Sequence, residues 1–354
     1  MSARPRRTRA VYIPVVAAVS AMTLVAACSS SSGPKQAAGS NIGTTVAQVC
    51  ANGAKEGSVD IARGSDADTF AKAVASFESK YPGIKVHFTS IKPQDNVQRI
   101  LAEVQSGHSL DVDGTDFDIA SAQPLFQAKL VAKVDWAQLG VDKSLVVDYS
   151  GTGLARTDSV FGGLTYDTTR TQPSDLPSTW EQLVNSKWAG KFVVDTRGKL
   201  LSPLALVWGE SKALSWYRNL MSVAKPVGIE GATASLQKVT SGEAVFSTSA
   251  HDSEVAQSKS EGAKVAIKYL DIVPAQTDYA YILDRAPHPN AARCFYAWRL
   301  SQDGQAQFDK YEFKTDAAQP AGLPAGSQIA ADRTAQQGLL DAKVASEFAK
   351  LTTQ

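Results

Sequence analysis

The feature that most constrains this chain is a repeated switch of hydrophobic period between residues 57 and 134. Gly57-Ser-Val-Asp-Ile-Ala62 reads as a short strand. Residues 69–80 place Phe70, Val74 and Phe77 on one helical face, and Pro82-Gly83 stops them. Ile84-Lys-Val-His-Phe88 alternates as a strand does. Residues 94–105 then carry the stripe Val97, Ile100, Leu101 and Val104, which Ser106-Gly107 ends. A strand near Leu110-Asp-Val-Asp113, a short helix over 119–128 and Leu130-Val-Ala-Lys-Val134 complete the series. Alternation of this kind implies an α/β chain, with a mainly parallel sheet and helices on both faces.

A second series begins after Val160-Phe-Gly-Gly-Leu-Thr-Tyr166, a glycine-rich crossing. Leu176-Pro-Ser-Thr-Trp-Glu181 reads as a helix start, with Ser178 and Glu181 as a capping box. Phe192-Val-Val194 is a strand, and Ser202-Pro203 opens the next helix. Further helices are expected over 212–221, 232–240 and 251–259, and strands over 244–248 and 264–270. Residues 276–284 cross back, and a helix bearing Cys294 follows. Gly151-Thr-Gly-Leu-Ala-Arg156 breaks the dinucleotide fingerprint and reads as a loop. No segment repeats at a short fixed period, which argues against a solenoid.

The N-terminus has its own logic. Arg4, Arg6, Arg7 and Arg9 precede an uncharged apolar run over 11–27, the pattern of a secretory signal over residues 1–27. Pro14 and the short length make it a poor membrane-spanning helix. Val25-Ala-Ala-Cys28 resembles the bacterial lipobox, which implies a lipid anchor on Cys28 at the outer face of the cell membrane. The alternative is an ordinary cleaved signal with a chance cysteine. Arg6-Arg7 does not continue as a twin-arginine signal should. Residues 28–49 begin rich in serine and glycine and are expected to form a flexible tether.

Without residues 1–27 the chain keeps 32 basic against 35 acidic residues, so nothing suggests nucleic acid. Two cysteines remain, Cys50 and Cys294. They either pair, as thiols that meet outside the cell do, or stay apart. Spacing alone cannot supply the separation a bridge demands.

Phe77-Glu-Ser-Lys-Tyr-Pro-Gly-Ile-Lys-Val86 resembles the first helix-to-strand join of bacterial extracellular solute-binding proteins. Leu176-Pro-Ser-Thr-Trp-Glu-Gln-Leu183 with Lys187-Trp-Ala-Gly-Lys191 is similar to the opening of their second lobe. Ser241-Gly-Glu-Ala-Val245, Ala286-Pro-His-Pro-Asn-Ala-Ala292 and Leu300-Ser-Gln-Asp-Gly-Gln305 follow in the same order. The resemblance covers nearly all of residues 57–310 and is nearest to importers of ferric ion, thiamine, polyamines or phosphonates. It implies a type II two-lobe fold that closes on a solute and hands it to an ABC permease. A monomer without a cofactor is expected. Lobe one would be 50–162 plus 276–350, and lobe two 163–275.

In open α/β sheets ligands sit beyond the carboxyl ends of strands, where helix N-termini favour anionic groups. Five loops fit that position. They nominate Ser65 and Asp66, Gly114 and Thr115, Arg197 and Gly198, Ser249, His251 and Asp252, and Gln276, Thr277 and Tyr279. Tyr166 on the crossing joins them. Each has a plainer reading. Asp66 and His251-Asp252 suit helix caps, Arg197 suits the surface, and Tyr166, Tyr279 and Tyr281 suit packing between lobes. Trp180, Trp208 and Trp216 suit a core, so no sugar platform is inferred.

Ferric-ion members of the family typically bind metal through adjacent tyrosines. This chain has no such pair, and its four histidines lack metal-site spacing, so no metal ligand is assigned. Acidic loops suit a cation and Arg197 an anion, which points to a small polar organic solute. A ferric ion, a non-transport surface lipoprotein and a hydrolase stand as alternatives. Ser235-Leu-Gln-Lys238 matches an S-x-x-K pattern without its companion motifs. G-x-S-x-G, H-E-x-x-H and a P-loop are missing, so no catalysis is expected.

Overall fold

Val59 and Ile61 are buried at alternate positions of the first strand, and this two-residue period seeds the larger sheet. The computed structural model describes residues 41–149, 151–314, 316 and 319–353. The expected signal, Cys28 and the serine-rich stretch to residue 40 lie outside the described residues.

Helix α1 (Val46–Glu56) is capped by Thr45 and precedes three parallel strands. These are β1 (Ser58–Arg63), β2 (Lys85–Ser90) and β3 (Gly114–Phe117), with β1 in the middle. Helices α2 (Ala67–Lys80) and α3 (Pro93–Gln105) make the crossovers, and α4 (Ile119–Gln127) follows β3. Asp66 caps α2 by accepting the amides of Asp68 and Thr69, and Asp118 caps α4 by accepting that of Ser121. Strands β4 (Val146–Tyr149) and β5 (Thr152–Phe161) then run antiparallel.

The chain leaves through Gly162 and Gly163 into β6 (Leu164–Asp167). A Cβ at Gly163 would lie 2.6 Å from the Lys268 carbonyl oxygen, so the crossing needs glycine there. The smaller sheet adds β7 (Phe192–Asp195), β8 (Val227–Ile229), β9 (Phe246–Ser247) and β10 (Val265–Lys268), in the order β10-β6-β9-β7-β8. Its helices are α5 (Leu204–Trp208), α6 (Glu210–Asn219), α7 (Ala232–Thr240) and α8 (Asp252–Ser260). Strand β11 (Ile272–Ile282) returns to the larger sheet, between β3 and β5, and β12 (Gln328–Ala330) pairs with its start. The larger sheet therefore reads β2-β1-β3-β11-β5-β4. Helices α9 (Pro289–Arg299), α10 (Gln302–Glu312) and α11 (Ala335–Thr352) complete the described chain.

Each lobe has its own apolar core. Phe70, Phe77, Phe295, Trp298 and Phe308 pack in the first, Trp180, Phe192, Trp216, Tyr217 and Phe246 in the second. Helix α11 packs against α4 of the first lobe, yet its Val344 and Phe348 enter the second core. There Phe348 stacks on Tyr217 at 3.9 Å between centroids. A disulfide joins Cys50 to Cys294 with Cα atoms 4.9 Å apart, fastening α1 to α9.

Local differences from the expectation have identifiable causes. Helix α1 begins inside the stretch assigned to the tether, because Val49 is fully buried and Cys50 is bridged. The third strand starts at Gly114 rather than Leu110, since the Asp113 carboxylate is taken by the amides of Asp60 and His288. Residues 130–134 supply only an isolated bridge from Val131 to Leu283. Residues 152–156 are strand, not loop, because β4 and β11 pair with them from both sides. No capping box forms at Ser178, whose amide goes to the Gln182 side chain, and short 3-10 turns replace the helix. Both sheets are mixed, the parallel pairs lying at β2-β1-β3 and β11-β12 in the larger and at β9-β7-β8 in the smaller. Among the described residues, no helix is long and apolar enough to cross a membrane.

Candidate ligand-binding cleft

The two sheets present their strand ends to one polar cavity of about 310 Å³. From the first lobe come Gly64 after β1, Asp116 in β3, Asp118 at the start of α4, Asp158 in β5, and Gln276 and Asp278 in β11. From the second come Arg197 and Lys199 after β7, and Ser249, His251, Ser253 and Glu254 around the start of α8. Lys92 and Lys314 bring further positive charge. A neighbouring cavity of about 480 Å³ shares Gln94, Asp118, Arg197, Lys199 and Gln276 and extends to α11 at Asp341.

Four of the residues nominated from sequence therefore meet here: Arg197, Ser249, His251 and Gln276. The Arg197 guanidinium is held by the buried Asp195 carboxylate at 2.6 Å, which lifts its already high pKa and leaves its outer face toward the cavity. The Ser249 hydroxyl is buried without a hydrogen-bond partner, so a ligand atom beside it would gain one. His251 is the N-cap residue of α8, and its backbone amide donates to Glu254 at 2.6 Å. Burial would depress this imidazole, but Glu254 and Asp252 outweigh it and raise the pKa.

The other nominated residues lie elsewhere. Asp66 caps α2, and the Ser65 hydroxyl donates to Glu312 at 3.2 Å. Gly114 is required by packing, since a Cβ there would meet the Tyr296 ring at 2.6 Å. Thr115 is fully buried and donates to the Ala62 carbonyl at 2.6 Å. Tyr166 belongs to the second core, and Gly198 lies against α11. Asp252 accepts the Phe161 amide at 2.9 Å, tying α8 to the end of β5. Thr277 pairs with Ser159 at 3.1 Å, and the Tyr279 hydroxyl donates to the Asp332 carbonyl at 3.0 Å. Ser235 is buried and donates to the Gly231 carbonyl, while Lys238 is exposed and paired with Glu243, so the S-x-x-K match has no shared site.

Sequence reasoning missed the charged floor of the cavity. Arg63 meets Asp116 at 2.8 Å and Asp158 at 3.4 Å, and Arg299 meets Asp158 at 2.9 Å. All four are almost fully buried. Burial pushes the Asp116 carboxyl up against the pull of Arg63. Asp158 resists the same burial because Arg63, Lys314 and Arg299 hold it below the usual range. Asp278 is its direct partner across β5 and β11. Burial, reinforced by the Asp158 charge, pushes Asp278 up to about 8, so it keeps its proton at neutral pH. No spacing in the sequence marks Asp158 and Asp278 as neighbours; only the register of the crossing strands does.

Two α/β lobes joined by crossing strands, with a polar cavity between their strand ends, define a solute-binding fold of the type II periplasmic class. Residues 72–332 match the family of bacterial extracellular solute-binding proteins, and the chain belongs to it. Among curated proteins, none matches. Among solved structures, iron-bound HitA from Pseudomonas aeruginosa is similar at TM-score 0.69 and 18% identity, covering 83% of this chain and 99% of its own. The ferric binding protein from Campylobacter jejuni is similar at 0.67 and 15%, covering 83% and 98%. The substrate binding protein of an ABC transporter from Agrobacterium tumefaciens is similar at 0.67 and 14%, covering 84% and 96%.

Proposed function

We propose that the protein is the extracytoplasmic receptor of an ABC import system, capturing a small polar organic solute between its lobes. It then passes the solute unchanged to a membrane permease. The observation that carries this reading is the polar cavity between the lobes, which both lobes line with charges of both signs, Asp118 with Lys92 and Lys314 from the first and Glu254 with Arg197 and Lys199 from the second. Asp118 lines it together with Arg197, Lys199 and His251, an arrangement suited to a solute bearing both signs of charge, and the protonated Asp278 adds a neutral hydrogen-bond donor. Domain closure about the Gly162-Gly163 and β11 crossings would bring the walls together. The working form is a monomer tethered through lipid on Cys28, with lobe one formed by 50–162 plus 276–350 and lobe two by 163–275. Binding and release involve no bond chemistry.

A ferric ion is the second reading. It is favoured by the carboxylates on the cavity wall and by the iron-bound neighbour. Against it, the described lining contains no tyrosine, and Asp116 and Asp158 already neutralise arginines.

Thermal unfolding of the purified protein against thiamine, spermidine, ferric citrate, phosphonates, amino acids and short sugars tests both. A ligand at a hundred times its dissociation constant stabilises the folded form by about 2.7 kcal/mol. One organic hit that Arg197→Ala weakens at least tenfold supports the proposal, and a response to ferric citrate alone selects the second reading. Silence across the panel, together with scattering that shows no cleft, would sink both.

A further inference from the structure

At the opposite end of the larger sheet from the cavity, four metal-ligating side chains converge. Asp60 on β1 and His87 on β2 are direct partners in the parallel ladder. Asp113 enters from the residue before β3, its carboxylate wholly buried, and His288 from the residue before α9. The His288 Nδ1 lies 2.9 Å from Asp113 Oδ2 and 3.3 Å from Asp60 Oδ2. The His87 Nδ1 lies 3.1 Å from Asp60 Oδ1. One donor atom from each of Asp60, Asp113 and His288 falls within 4.8 Å of the others.

These spacings have a chemical meaning. Around a tetrahedral Zn²⁺ with bonds of about 2.0–2.1 Å, neighbouring donor atoms are roughly 3.3 Å apart. His288 Nδ1 already stands at about such distances from one oxygen each of Asp113 and Asp60. Two carboxylates neutralise a dication, and their combination with an imidazole suits zinc-like ions over calcium or magnesium. The outer contacts also fit a built site. Asp113 accepts the backbone amides of Asp60 at 2.7 Å and His288 at 2.6 Å, which fixes its carboxylate. The far nitrogen of His288 lies 3.4 Å from the Ser58 hydroxyl, orienting the ring. The Cys50–Cys294 bridge fastens α9, and with it the backbone that leads from His288.

We propose that Asp60, Asp113 and His288 form a site for one zinc-like divalent cation on the outer edge of lobe one, with His87 holding the Asp60 carboxylate from the neighbouring strand. The ion would tie β1, the entrance to β3 and the start of α9 together. It is separate from the solute cavity and independent of what that cavity binds.

The test titrates the chelator-stripped, untagged protein with ZnCl₂ in a calorimeter, with metal content counted after dialysis. CoCl₂ provides a second readout through the visible bands of tetrahedral Co²⁺. One ion per chain is expected, with affinity reduced at least about 100-fold by His288→Ala and about tenfold by His87→Ala. His87 is largely exposed, so its variant keeps the fold should His288→Ala fail to. Asp278→Asn in the cavity should leave zinc binding unchanged. The proposal is overturned by no stoichiometric binding at micromolar zinc, or by binding that persists in the His87→Ala, His288→Ala double variant. It is equally overturned by binding that Asp278→Asn removes, which would place the ion in the cavity.

Discussion

Replacing Asp278 by asparagine should make the protein more stable, and by an amount that depends on pH. In the folded chain Asp278 holds its proton up to about pH 8, chiefly through burial and then through the charge of Asp158 opposite it. In the unfolded chain the same carboxyl titrates near its ordinary value of 3.8. Between these values the unfolded state has released a proton that the folded state keeps, so stability falls as pH rises from about 4 to about 8 and then levels. At pH 7 this amounts to about 4 kcal/mol at most, taking 1.36 kcal/mol per unit over about three units. The carboxyl opens onto the cavity and couples to several charges, so about 2–3 kcal/mol is the expected gain from the isosteric amide. For a protein of this size that is a rise in Tm of about 4–6 °C. Thermal unfolding of both proteins from pH 4 to 8.5 reads it directly. The gap should be near zero at pH 4 and widest near pH 8. A gap that stays constant across the range, or a less stable variant, would refute the assignment of the proton to Asp278.

Other expectations follow from single contacts. Cys50→Ser with Cys294→Ser opens a link spanning 244 residues and should cost about 3–5 kcal/mol, a loss that disappears when the parent is compared in reductant. Gly198→Ala should lower Tm by several degrees, because the position has φ of 71° and its new Cβ would lie 2.4 Å from the Ala345 carbonyl oxygen. Asp252→Ala frees the Phe161 amide and should cost about 1–2 kcal/mol, with scattering in solution showing a broader spread of lobe separations.

What the sequence showed and what it hid divide along physical lines. The helix over 232–240 and the strands near residues 58, 85 and 192 were legible because local periodicity and stop signals determine them. Strand β5 was not, because its polar sequence becomes strand only through partners on both sides, one of them more than a hundred residues away. Arg197, Ser249, His251 and Gln276 could be found from the rule that ligands meet loops at strand ends. The same rule also nominated Thr115 and Tyr279, whose hydroxyls serve the backbone of their own lobe. Asp158, Asp278 and Arg299 escaped because their meaning lies in cross-strand register and burial, neither of which a linear spacing carries.

The placement of α11 reaches beyond equilibrium packing to the order in which the protein can be made. The strands and helices of the second lobe span residues 164–268, yet the core they form also contains Val344 and Phe348. A chain emerging N-terminus first exposes that lobe's apolar face nearly seventy residues before the helix that covers it begins, a gap visible in the order of the elements. The second core is therefore complete only once residues 344–348 are in place.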